Sequence, residues 1–92
     1  MKIKFHKNSI KFLEKCNTND KERIRVKLKD LLNLYNGTKI SNLTKLNIKN
    51  LEGEWKGFKR LKIGKIRVIF RVSLVDEEIE VFEIDFRGDI YK

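Results

Sequence analysis

The sequence predicts an α+β domain in which an N-terminal strand and an antiparallel two-helix hairpin pack on one face of a four-stranded, mostly antiparallel sheet. Three observations carry this prediction. Apolar residues recur at helical spacing as far as Gly37, and from Trp55 onward they alternate singly. The alternating half is also cut into short runs by turn signals at Gly64-Lys65 and Asp76-Glu77-Glu78. Helices gathered in one half and strands in the other belong on two sides of one core.

Residues 2–6 alternate, with Ile3 and Phe5 on one side and Lys2, Lys4 and His6 on the other, the period of a half-buried strand. Ser9 is placed to cap a first helix running to about Lys15, with Ile10, Leu13 and Cys16 on its inner face. Asn19 or Asp20 opens a longer second helix whose Ile24, Leu28, Leu31 and Tyr35 form one stripe. Gly37 supplies its left-handed stop. Residues 38–53 are polar and rich in Asn, with Leu43, Leu46, Ile48 and Leu51 tucked beneath, and are expected as a surface connection. Residues 58–63, 66–72 and 79–86 then form a meander of three strands. No internal repeat interrupts this order.

Neighbouring residues of a strand point to opposite faces, so parity sorts the sheet. One face collects Leu61, Ile63, Ile66, Val68, Phe70, Val72, Phe82, Ile84 and Phe86 and must cover the helices. The other collects Arg60, Lys62, Arg67, Ile69, Arg71, Val81, Glu83, Asp85 and Arg87. The net charge of +9, from 22 Lys and Arg against 13 Asp and Glu, points to a polyanion as partner. Glu83 and Asp85 could equally pair with Arg67 or Arg71 as ordinary cross-strand ion pairs, and parity does not decide between the two.

Composition excludes several classes. A chain of 92 residues is expected as a single domain over residues 1–92, with about two-thirds of its unfolded surface buried. No apolar run reaches the ~18 residues of a membrane span, and the N-terminus lacks a signal peptide's apolar stretch. A cytoplasmic location without a membrane partner is expected. Cys16 is the only cysteine and no Cys/His cluster has zinc-site spacing, so neither disulfide, metal nor cofactor is expected.

The run Lys59-Arg60-Leu61-Lys62-Ile63-Gly64-Lys65-Ile66-Arg67-Val68-Ile69-Phe70, preceded by Leu51-Glu52-Gly53-Glu54-Trp55, resembles the RelE/ParE toxin superfamily. The family pattern is a leucine-glycine segment, a basic-apolar-basic strand, a short turn and an arginine-valine-isoleucine-tyrosine strand, with Phe70 here in place of the tyrosine. The ending Asp85-Phe86-Arg87-Gly88-Asp89-Ile90-Tyr91 is similar to the family's closing motif, and the resemblance spans the chain. It implies the toxin of a toxin–antitoxin pair, and its RelE-like branch implies a ribosome-dependent, metal-independent mRNA interferase. Such an endoribonuclease cleaves A-site mRNA by attack of a 2′-hydroxyl on the neighbouring phosphodiester. The implied partners are the ribosome, mRNA and a cognate acidic antitoxin that wraps the toxin. The implied catalytic residues are Arg60, Lys62, Arg67, Arg87 and Tyr91.

Chemistry assigns each a task. Cleavage develops extra negative charge on phosphorus, so oriented donors stabilise the transition state beyond the ground state. Arg67 is the first choice for this, with Arg87 second. Neighbouring cations disfavour the charged form of a lysine, which suits Lys62 to proton transfer, whereas Arg60 stays charged as a phosphate clamp. Tyr91 is assigned to stacking on a base or to acting as the base. Two other readings stay open: a ParE-like gyrase inhibitor on the same fold, and a degenerate member that only binds RNA or antitoxin. His6 is expected to be solvated, Cys16 buried, and Trp55 to close the core.

Overall fold

The computed structural model describes residues 1–37 and 46–86. In chain order they form β1 (Lys2–Phe5), α1 (Lys7–Lys15), α2 (Thr18–Tyr35), β2 (Asn47–Asn50), a 3-10 turn at Gly53–Trp55, β3 (Lys59–Ile63), β4 (Ile66–Ser73) and β5 (Glu78–Phe86). The strands make one sheet in the order β1-β5-β4-β3-β2, with β1 parallel to β5 and the other pairs antiparallel.

The sheet has five strands where four were expected. β2 lies in the segment read as a surface connection and pairs with β3, Asn47 opposite Lys62 and Asn50 opposite Lys59. Only Ile48 of its four residues packs on the core, and one apolar residue establishes no period. A short, polar strand of Asn and Lys suits an edge, where unpaired backbone would otherwise recruit other chains. Leu43 lies outside the described residues.

Both helices start earlier than the sequence predicts. His6 precedes α1 at the cap position, and Ser9 is fully buried instead of capping. Its hydroxyl donates to the carbonyl of His6 at 2.7 Å and to that of Val81 on β5 at 3.1 Å. A serine here lets the helix approach the sheet closely, and the phase it sets turns Ile10 outward to 45% exposure. Phe12 and Leu13 take the inward places. Cys16 caps the end of α1, half-buried, with its thiol toward the Leu13 carbonyl. α2 is capped by Asn17, whose Oδ1 accepts from the Asp20 amide at 2.8 Å, and it ends before Gly37 at φ +75°.

Ile24, Leu28 and Leu31 of α2 are buried against Leu61, Ile63, Ile66, Val68, Phe70 and Ile84 of the sheet, the face that parity assigned to the core. Two assignments are reversed. Ile69 pairs with Glu83 but Phe70 pairs with Val81, so a bulge takes up one residue of β5 at Phe82. Beyond it the alternation is inverted: Val81 and Ile79 enter the core fully buried, and Phe82 leaves it. A bulge shifts register without changing composition, so alternation alone could not locate it.

Candidate active site

The strand pairing arranges the face away from the helices in rungs. The first rung runs Asn47, Lys62, Arg67, Asp85 across β2, β3, β4 and β5. The next runs Lys49, Arg60, Ile69, Glu83. Directly opposed side chains have Cβ atoms about 5 Å apart, and rungs on one face repeat about every 7 Å. Lys62 and Arg67 therefore stand side by side, with Arg60 diagonal to Arg67. Three expected site residues share one patch; Arg87 and Tyr91 lie outside the described residues.

Two cations directly opposite each other repel. Asp85 offsets part of this, with Oδ1 at 3.7 Å from Arg67 Nε, an ion-pair distance too long for a hydrogen bond. Arg60 is steadied from β2 by Asn47, whose Oδ1 accepts from its Nη2 at 3.2 Å. The Arg67 side chain is only 17% exposed. Among the described residues, the buried Nε atoms of Arg60 and Arg67 have no hydrogen-bond acceptor. A guanidinium held this way is oriented before any ligand arrives. The ordinary ion-pair reading is thus realised in part, by Arg67 with Asp85, while Arg71 takes Glu80 as its partner instead and Glu83 makes no ion pair among the described residues.

A second cluster borders this patch. His6 stacks on Phe82 with ring centroids 3.9 Å apart, and its Nε2 lies 3.3 Å from Glu80 Oε2. Arg71 donates to the same oxygen at 3.1 Å and sits over the rings of Phe58 and Phe82, 5.3 and 5.2 Å from their centroids. Trp55 meets Phe58 edge-on at 5.1 Å, so it extends this cluster on the open face instead of closing the core. Sequence reasoning missed the group because it forms only once the bulge turns Phe82 outward. Unbroken alternation places Glu80 on the core side with Phe82 and Ile84, so its pairing with Arg71 appears only beyond the bulge.

Burial opposes ionisation of Glu80, but hydrogen bonds from His6 and Arg71, together with their charge, outweigh it and hold the carboxyl below its ordinary value of 4.5. A carboxyl whose folded value is depressed contributes stability that is fully present above the unfolded value and is lost as pH falls through the folded one. Urea midpoints of the wild type should therefore drop below pH 4.5, and those of Glu80→Gln should drop less over the same interval. Parallel curves would mean the carboxyl is not held this way. Asp76, Glu78 and Glu80 bring ligand atoms within 4.8 Å of one another, but Glu80 is already engaged by His6 and Arg71.

Among the described residues no helix is long and apolar enough to cross a membrane. No family model matches the chain, and no curated protein matches it. Solved structures do. A chain of the archaeal RelE–RelB complex of Pyrococcus horikoshii is 26% identical, with 95% of this chain and 94% of that one covered and a TM-score of 0.69. A chain of the RelB–RelE antitoxin–toxin complex of Methanococcus jannaschii is 23% identical over 96% and 94%, with a TM-score of 0.72. The YoeB/ParE toxin of Agrobacterium tumefaciens is 25% identical over 94% and 98%, with a TM-score of 0.66. The chain has the fold of the RelE/ParE toxin superfamily.

Proposed function

We propose that this chain is the toxin of a toxin–antitoxin pair and a ribosome-dependent, metal-independent endoribonuclease of the RelE-like branch, acting on A-site mRNA. The observation that carries this reading is the preset cationic patch of Arg60, Lys62 and Arg67, with Arg67 largely withdrawn from water beside Lys62. In the reaction the 2′-oxygen forms a bond to phosphorus as its proton is removed. The bond from phosphorus to the 5′-oxygen breaks, and that oxygen takes up a proton, leaving a cyclic phosphate and a free 5′-hydroxyl. Arg67 faces the charge that grows on the phosphoryl oxygens, Arg60 clamps the phosphate, Lys62 moves a proton, and Arg87 and Tyr91 complete the set.

An antitoxin partner has a matching surface on the helical side. A groove of about 510 Å³ between β1, α1 and α2 is lined by the apolar Ile3, Phe5, Leu13 and Leu28 and by the charged Lys21, Arg25, Lys29 and a single acid, Glu14. An amphipathic helix with acidic flanks fits this combination of apolar lining and mostly basic charge.

The test maps mRNA ends on programmed ribosomes and runs a gyrase supercoiling assay in parallel, with the wild type and the Arg67→Ala, Arg87→Ala double variant. Cuts within A-site codons that vanish in the double variant are expected. Gyrase inhibition by both proteins without mRNA cuts would replace this reading by the ParE-like one. Lys62→Ala is expected to slow cleavage by about 10²–10⁴-fold and to remove one limb of the pH–rate profile. A near-normal rate with an unchanged profile would take proton transfer away from Lys62.

A further inference from the structure

The aromatic cluster beside the cationic patch has no part in the chemistry above, yet it encloses a recess. An open cavity of about 240 Å³ is lined by His6, Lys7, Asn8, Trp55, Phe82 and Glu83. That is below the roughly 300–1,000 Å³ of clefts that take drug-sized ligands and suits one planar group. We propose that this recess is a nucleobase-binding subsite that selects bases carrying an exocyclic amine, and so sets which codons are cut. The inference rests on the endoribonuclease reading for its substrate, single-stranded RNA.

Position supports it. Glu83 stands in the rung of Arg60, one rung from Lys62 and Arg67. That separation is about 7 Å along the strand, so a nucleotide whose phosphate rests on the cations can place its own or its neighbour's base in the recess. Trp55 and the stacked His6–Phe82 pair supply aromatic surface, and unstacked bases seek such platforms in single-strand recognition. Lys7 at the rim adds a cation for the backbone.

Chemistry sets the preference. Glu83 is half-buried on a basic sheet face and makes no hydrogen bond or ion pair among the described residues. A carboxylate only accepts. It pairs with the amines of guanine, cytosine and adenine. On uracil it meets a single N–H flanked by two carbonyl oxygens that repel it. Asn8, with both donors and acceptors, can complete the contact to the base edge.

Trp55 is the only tryptophan, so its emission reports the recess. The full chain is titrated with RNA trinucleotides made uncleavable by 2′-deoxy substitution and differing in one base. Saturable quenching is expected, with the uracil oligomer bound roughly 5- to 150-fold more weakly than the guanine or cytosine oligomers. Glu83→Gln, which can donate as well as accept, should erase that difference, and His6→Ala should weaken all oligomers by a similar factor. Urea unfolding of each variant separates loss of contact from loss of fold. Equal quenching by all bases, or none while a filter assay shows salt-dependent retention of the same oligomers, overturns the subsite. Base-selective quenching without cuts on ribosomes would leave the subsite standing and defeat the nuclease reading. Cuts whose codon profile is unchanged in Glu83→Gln would do the reverse.

Discussion

Arg67→Ala is expected to lower the rate of mRNA cleavage by about 10²–10³-fold, the loss typical for one preorganised donor facing developing charge. Arg67 sits on the central antiparallel strand, flanked by Lys62 and Asp85, with its side chain only 17% exposed. Water can neither reorient it freely nor substitute for it readily, so the loss falls on the transition state and appears in kcat more than in KM. Arg67→Lys makes the test sharper. Lysine keeps the charge but loses the planar fork, so a partial loss is expected, intermediate between wild type and alanine. Cleavage on programmed ribosomes gives the rates, and retention of RNA on a filter gives the binding. If the alanine variant binds RNA much more weakly but cleaves at the wild-type maximal rate, Arg67 acts in binding and not in catalysis.

Phe70→Ala should destabilise the fold by about 3–5 kcal/mol, the usual cost of emptying an aromatic core position. Phe70 is 0% exposed on β4 and faces Val81 immediately beside the bulge. A small domain has only ~5–15 kcal/mol to lose. For a domain of this size each kcal/mol is worth about 4–8 °C in Tm, so thermal and urea unfolding should both show the effect clearly. The consequence reaches the site, because the register that brings Phe82 outward is held by the packing of Phe70 and Val81 within the core. Phe70→Leu, which keeps most of the apolar volume, should recover a large part of the loss. A change below about 1 kcal/mol for the alanine variant would show that the core around the bulge collapses to fill the space.

Much of this arrangement was legible in the residues. The stripe Ile24, Leu28, Leu31 on α2, the three meander strands and the sharing of one sheet face by Arg60, Lys62 and Arg67 all depend on local periods, which a chain displays in order. The strand β2 was not legible, because a polar edge strand with one inward residue, Ile48, carries no alternation. The outward turn of Phe82 and the inward turn of Val81 were missed for a different reason. Both follow from one residue of mismatch between β4 and β5, and mismatch belongs to a pair of strands and not to either one. A serine hydroxyl at position 9 suits a helix cap on sequence alone; that it instead meets the Val81 carbonyl depends on where β5 lies.

Periodicity and charge, both local properties, were enough to determine an α+β domain with a greased inner face and a cationic outer one. Tertiary structure alone decided which side chains of β5 face which way, that Glu80 is shared by His6 and Arg71, and that Trp55, Phe82 and Glu83 surround one recess beside the cations. These features join residues far apart in the chain through register and close packing, and neither is encoded in the spacing of any single segment.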